Sequence, residues 1–80
     1  MVDPFLIVRH LARSLVDKPD AVKVSESSRD GAVVIELRVA PDDLGKVIGR
    51  RGQTARALRT VLSAATAVSG QRVLLNIVED

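Results

Sequence analysis

The chain has 80 residues, a formal net charge of +2 and no cysteine. This length suits one small domain, and the absence of thiols excludes disulfide bridges and thiolate metal sites. A single aromatic residue, a phenylalanine, is too few for domains that stack nucleic-acid bases on aromatic platforms. No run of 18 apolar residues and no amino-terminal leader pattern occurs, so we expect a soluble, unsecreted, cytoplasmic protein.

Charge is distributed unevenly along the chain. Residues 44–78 contain six basic residues and no acidic one, whereas the remainder contains six basic and ten acidic residues. A segregated positive field attracts polyanions, although a basic, solvated helix face would have the same composition. The basic residues of this stretch are Lys46, Arg50, Arg51, Arg56, Arg59 and Arg72.

An amphipathic helix is predicted over residues 4–17. Asp3 is a good N-cap, Pro4 suits the first helical position, and Lys18-Pro19 ends the pattern. Apolar residues recur at helical spacing at Phe5, Val8, Leu11, Ala12, Leu15 and Val16. This spacing predicts one buried face, with the sole histidine, His10, on the exposed side.

Three strands are predicted as well. Val22-Lys23-Val24-Ser25 alternates weakly and Asp30-Gly31 is typical of a hairpin turn, so a β-hairpin is expected. Its second strand alternates more clearly, with an apolar face formed by Val33, Ile35, Leu37 and Val39. The last strand, residues 72–78, has an apolar face formed by Val73, Leu75 and Ile77.

Two further helices flank the segment Gly49-Arg50-Arg51-Gly52. The first is predicted to open at Ala40-Pro41-Asp42-Asp43, where the two carboxylates would complement the positive end of the helix dipole, and to end at Gly49 in a left-handed conformation. Its buried residues would be Leu44, Val47 and Ile48. The second is predicted to run from Gly52 to Ser69-Gly70. Its buried stripe would comprise Ala55, Leu58, Val61, Leu62, Ala65 and Val68.

These elements predict an α+β domain over residues 1–80, with the order helix, strand, strand, helix, helix, strand. Each helix has a single apolar stripe, so three helices would cover one face of a three-stranded sheet. The helix pair between the second and third strands is long enough to return the chain parallel. A mixed sheet is therefore expected.

The Gly-Arg-Arg-Gly turn has the composition of a phosphate clamp. Neither glycine has a side chain that would hold a ligand away from the backbone. The helix that follows presents free N–H groups and the positive end of its dipole. Arg50 and Arg51 add guanidinium donors whose geometry matches phosphate oxygens.

The segment Val47-Ile48-Gly49-Arg50-Arg51-Gly52, preceded by Gly45-Lys46, resembles the signature of a K-homology (KH) domain. The order of elements over residues 33–78 matches the KH core, and the leading helix and extra strand are similar to the type II, prokaryotic arrangement. Among these domains, the chain is most similar to the small KhpA-type RNA-binding proteins of bacteria. The resemblance covers nearly the whole chain.

The resemblance implies a site that grips roughly four single-stranded nucleotides, with the bases in an apolar groove between the helix pair and the adjacent strand. Gly49, Arg50, Arg51 and Gly52 would contact phosphates. Gly45, Lys46, Val47 and Ile48 would shape one wall. Arg56 and Arg59 would extend the positive track or be solvated, and Arg38 would be exposed outside the site.

No pattern of residues supports catalysis, a metal site or a cofactor. Two other functions remain open. A helix, a glycine turn and a second helix also describe a helix-turn-helix that reads duplex DNA, with Gln53, Thr54 and Arg56 as the available base-reading side chains. The chain could also be an adaptor that binds proteins. The small residues Ser63-Ala64-Ala65-Thr66-Ala67, together with the resemblance, suggest a homodimer or pairing with a larger KH-containing protein.

Overall fold

The computed structural model describes residues 3–67 and 70–78. Within these ranges the elements follow the predicted order: α1 (Pro4–Leu15), β1 (Lys23–Arg29), β2 (Ala32–Arg38), α2 (Leu44–Ile48), α3 (Gln53–Thr66) and β3 (Val73–Ile77). Short 3-10 turns occupy Pro19–Ala21, Pro41–Asp43 and Arg50–Gly52.

The described strands form one mixed sheet in the order β1-β2-β3. β1 and β2 pair antiparallel, whereas β2 and β3 pair parallel, which confirms the predicted topology. At the hairpin, Asp30 (φ 52°) and Gly31 (φ 81°) both have positive φ. This is the pattern of a type I′ turn, whose twist matches that of the flanking strands.

The core lies between the sheet and the three helices. Every element except β1 contributes to the buried cluster, which comprises Val8, Ala12, Ile35, Leu37, Val39, Val47, Leu58, Leu62 and Leu75. The central strand β2 supplies the completely buried Ile35 and Leu37, as its alternation predicted. All three helices therefore cover the same face of the sheet, and Phe5 packs against the edge of this core.

The first helix is shorter than predicted. It ends at Leu15, which is 39% exposed, and Val16 is already extended. The backbone N–H groups of Asp17 and Lys18 donate to the carboxylate of Asp43 instead of to carbonyls one turn back. A tertiary hydrogen bond therefore ends this helix before the proline does.

The helix before the glycine turn also begins later than predicted. Pro41–Asp43 forms a separate 3-10 turn, and α2 is a single turn of five residues starting at Leu44. The carboxylate of Asp43 makes no capping bond to α2. The interpretation of Asp43 as a residue that only complements the helix dipole is therefore wrong, because its oxygens bond to the end of α1.

The buried stripe of α3 differs from the prediction at Val61, which is 44% exposed, and at Ala65, which is only half-buried. The stripe consists of Ala55, Leu58, Leu62 and Thr66. Val61 lies about 100° around the helix from Leu62, and its side chain therefore points out of the core. Val68, also predicted to be buried, lies outside the described residues.

Candidate nucleic-acid interface

Gly49 joins α2 to the turn in a conformation that requires glycine. Its φ of 77° and ψ of 175° fall in a region essentially restricted to this residue. A Cβ at this position would lie 2.2 Å from Oγ1 of Thr54 and 2.8 Å from its backbone nitrogen. The predicted left-handed conformation is thus wrong in ψ, and the close approach of Thr54 adds a steric reason that the sequence did not reveal.

Two of the three remaining residues of the turn are left-handed. Arg51 (φ 57°, ψ 27°) and Gly52 (φ 75°, ψ 14°) both adopt this conformation. No atom lies within 4 Å of the position a Cβ on Gly52 would take, so only its backbone angles favour glycine there. For Arg51 the conformation costs roughly 1–2 kcal/mol. Strain at an exposed residue is characteristic of functional turns.

The arginines around the turn are available to a ligand. Arg50, Arg51 and Arg56 are exposed, and within the part of the chain that the structure describes no carboxylate lies within 4 Å of them. α3 begins directly after Gly52 with no side-chain cap and no acidic residue in its first turn. The N–H of Gln53, the first residue of α3, donates to the carbonyl oxygen of Arg50, so the helix contributes chiefly the positive end of its dipole beside the guanidinium groups.

The predicted wall residues occupy different environments. Gly45 is exposed, and Ile48 is half-buried against the core. Val47 is 0% exposed, so it supports the wall from inside the core instead of facing a ligand. Lys46 is exposed, but its ammonium group bonds to two carboxylates.

Arg59 bridges α3 and the edge of the sheet. Its Nε donates to the carbonyl oxygen of Leu75 at 3.4 Å. Since β3 pairs only with β2 among the described strands, this carbonyl lies on its free edge. Arg59 therefore spans the gap between helix and strand where the groove is expected, whereas Arg72 is exposed just before β3 begins.

A second group of charged residues adjoins the start of α2. Asp43 is only 1% exposed, and its Oδ1 and Oδ2 accept from the backbone N–H groups of Asp17 (3.2 Å) and Lys18 (3.0 Å). Nζ of Lys46 donates to Asp43 Oδ1 at 3.3 Å and also to Asp17 Oδ2. Nζ of Lys18 reaches Asp42 at 3.4 Å. We call Asp17, Lys18, Asp43 and Lys46 the junction cluster.

The pKa shifts of Asp43 and Lys46 both favour the charged form of the side chain. Burial opposes ionisation of Asp43, but hydrogen bonds from Lys18, Asp17 and Lys46 outweigh burial and hold the pKa of the carboxyl below its usual value. The hydrogen bond to Asp17 raises the pKa of Lys46, desolvation lowers it, and the bond to Asp43 adds to the rise. The net pKa of Lys46 is raised.

Three residues shape the interface through contacts that the sequence pattern did not predict. Thr54 packs over Gly49, Asp43 bonds to the end of α1, and Asp17 pairs with Lys46. Nothing in the spacing of residues links Asp17 to Asp43, because they are 26 residues apart. The only signal for Thr54 was its position in the first turn of the helix after the glycines.

Other features do not form a competing site among the described residues. No group of three metal-ligating side chains occurs in residues 3–67 and 70–78, and no helix there could cross a membrane. His10 is exposed, as expected, beside an open depression of about 570 Å³ along α1. This depression has no group of catalytic or metal-binding residues.

Comparisons with known proteins agree with the fold. Residues 6–77 match the family described as "KhpA/KhpB, KH domain". The chain is 53% identical over 73 residues to the RNA-binding protein KhpA of Aquifex aeolicus, covering 91% of this chain and 92% of that protein. It is 51% identical over 73 residues to the RNA-binding protein KhpA of Halalkalibacterium halodurans, covering 91% and 96%.

Solved structures share the fold. Era from Aquifex aeolicus bound to GDP·AlF4− superposes with a TM-score of 0.63 at 22% identity, covering 96% of this chain and 31% of Era. A structure of Era with MgGDPNP and a segment of 16S ribosomal RNA has a TM-score of 0.61 at 24% identity, with the same coverage. The family match over nearly the whole chain and the two relatives of about half identical sequence show that this protein belongs to the KhpA/KhpB KH-domain family.

Proposed function

We propose that the protein binds single-stranded RNA and grips its phosphate backbone with the turn Gly49–Gly52. The observation that carries this proposal is the pair Arg50 and Arg51, exposed and unpaired beside the uncapped start of α3. Guanidinium groups and helix amino termini both bind phosphate oxygens. The name of the relatives, RNA-binding protein KhpA, favours RNA over other polyanions.

The neighbouring residues have supporting roles in this proposal. Gly45 and Ile48 line the wall beside the bases, with Val47 packed behind them, while Lys46 shapes the same wall. Arg56, one turn into α3 and exposed, extends the positive surface along the RNA. Bases would lie between the helix pair and β3, where aliphatic contacts and hydrogen bonds to base edges replace aromatic stacking.

A single short site implies modest affinity and little sequence selectivity. We therefore assign the protein the role of a cytoplasmic RNA chaperone or post-transcriptional regulator and not that of an enzyme. A second copy, or a larger partner that contains a KH domain, would raise affinity through effective concentration.

We propose α3 as the surface for this association. Val61 is 44% exposed, and Ala64, three residues further on the same face of α3, is exposed and small, so a second backbone could approach closely. Sedimentation at micromolar concentration should show a species larger than the monomer, and Val61→Asp should convert it to monomer. Leu6→Asp is the matched control, because Leu6 is 53% exposed on α1 and its substitution should leave the assembly intact. A strictly monomeric parent with no larger partner in extracts would contradict this proposal.

Binding to single-stranded RNA and to duplex DNA of equal length tests the proposed ligand. We expect a clear preference for the single strand, because the turn contacts one phosphate backbone and a second strand would add no contact with it. Preference for the duplex would favour the helix-turn-helix alternative. Partner capture that survives nuclease treatment, together with no measurable RNA binding, would favour the adaptor alternative.

A further inference from the structure

One buried carboxylate connects three parts of the chain that precede the glycine turn. Asp43 accepts hydrogen bonds from the backbone of residues 17 and 18 at the end of α1, and from Lys46 on α2. Lys46 closes the network by also bonding to Asp17. Since Asp43 is 1% exposed, its own bonds are partly shielded from water, whereas the pair of Lys46 with Asp17 is exposed.

The helix held by this network has little stability of its own. α2 is five residues long, and an isolated helix of one turn does not persist in water. Its orientation therefore depends on tertiary contacts: Val47 lies in the core, Leu44 and Ile48 pack against it, and the junction cluster holds the start of the helix. Gly49 follows α2 directly, and a rotation of α2 would move Gly49 and Arg50 with it.

Lys46 is held away from a role as a phosphate ligand. Its ammonium group has two carboxylate partners, unlike the exposed arginines of the turn, which have none among the described residues. Contact with a phosphate would require breaking both ion pairs. Replacing such bonds with one to RNA offers little net gain, because the cluster would lose a buried charge pair.

We propose that Asp43 and Lys46 are positioning residues that set the orientation of α2, and through it the geometry of Gly49 and Arg50, without contacting RNA. This inference rests on the proposed function of the turn and adds the residues that hold the turn in position. The alternative, in which Lys46 is itself a phosphate ligand, makes a different prediction for the same substitution.

Three variants separate the two roles: Lys46→Gln, Asp43→Asn and, as control, Asp42→Asn. Asp42 is an exposed neighbour whose side chain pairs only with Lys18 in the described part of the chain. The measurements are the amide chemical shifts of Gly49 and Gly52 in the free proteins, and the affinity for a fluorescein-labelled, mixed-sequence single-stranded RNA over a range of salt concentrations. Lys46→Gln is the main variant, because an exposed site is expected to keep the fold.

The proposal predicts shifted Gly49 amide resonances in folded Lys46→Gln protein, with RNA affinity reduced by about two- to thirtyfold, the range for residues that act on a site through packed neighbours. The slope of log affinity against log salt should stay that of the parent. Asp43→Asn should show the same pattern in its folded fraction, and Asp42→Asn should match the parent.

Unchanged glycine resonances in Lys46→Gln, with a salt slope shallower by about 0.7, would overturn the proposal and identify Lys46 as a phosphate ligand. A parent protein that fails to bind RNA would instead refute the proposed function. In that case the amide shifts of the free proteins would still decide whether Asp43 and Lys46 position the turn.

Discussion

The turn and the junction cluster place charge in opposite environments within a few residues of each other. Arg50 and Arg51 are exposed and have no carboxylate partner in the part of the chain that the structure describes. Lys46 has two such partners, one of them the buried Asp43. All three residues belong to the same acid-free stretch of sequence, yet only the arginines are free to meet a polyanion.

This difference separates the charges that serve the fold from those that serve a ligand. The junction cluster satisfies its charges internally and joins α1 to α2. The turn keeps its charges unpaired and holds Arg51 in a strained conformation. Substitutions in the two regions should therefore affect stability and RNA affinity differently.

The largest loss of stability is expected from Gly49→Ala. Its backbone angles disfavour any side chain, and the new Cβ would clash with Thr54, so we expect a cost on the order of 3 kcal/mol or more. Gly45→Ala is the matched control, because Gly45 lies in α2 with no atom within 4 Å of the added Cβ. That variant should gain about 0.5–1 kcal/mol, as measured by chemical denaturation. Equal stability of the two variants would show that the turn is adaptable.

A smaller effect, of opposite sign, is expected from Arg51→Asn. Asparagine tolerates the left-handed conformation, so the free energy of unfolding should rise by about 1 kcal/mol. RNA affinity should fall, and its salt slope should become shallower by about 0.7. Arg50→Asn is the control, because Arg50 does not have positive φ and loses only its charge. If Arg51→Asn binds RNA as tightly as the parent, the strain at Arg51 has no function in binding.

Acid should weaken the bonds that Asp43 makes in the junction cluster. The folded-state pKa of Asp43 is lowered, so its contribution to stability is present above the usual aspartate pKa of about 3.9 and is lost as the pH falls through the lower folded value. Thermal unfolding of Asp43→Asn should therefore depend less on pH below about pH 4 than that of the parent. Asp42→Asn should follow the parent curve.

The sequence allowed prediction of the fold because local patterns and tertiary packing agree in most of it. Alternation in β2, the Asp30-Gly31 turn and the apolar stripe of α1 each specify an element without help from distant residues. The turn could be recognised for the same reason, since Gly49–Gly52 is a contiguous motif between two helices.

The remaining features could not be predicted because they depend on contacts between distant segments. α1 ends early because the backbone N–H groups that follow it bond to Asp43, which lies 26 residues after Asp17 in the sequence. Nothing in the sequence indicated this contact, because a carboxylate at the position of Asp43 is equally well explained by the start of a helix. The sequence pattern predicted burial of both Val61 and Leu62, because both lie at helical spacing from Leu58. Only packing against the sheet decides which of them is buried, and it is Leu62.

The most direct test of the proposed RNA site replaces both Arg50 and Arg51 with aspartate. The substitutions lie at exposed positions and keep both glycines, and aspartate tolerates the left-handed conformation of Arg51, so the variant should fold and be at least as stable as the parent. If the parent neutralises about two to four phosphates, its log affinity should fall with log salt at a slope of roughly −1.4 to −2.8. The variant should bind far more weakly to every RNA sequence, because phosphate contacts carry no base information. A folded variant with the affinity of the parent would show that the turn is not the RNA-binding site.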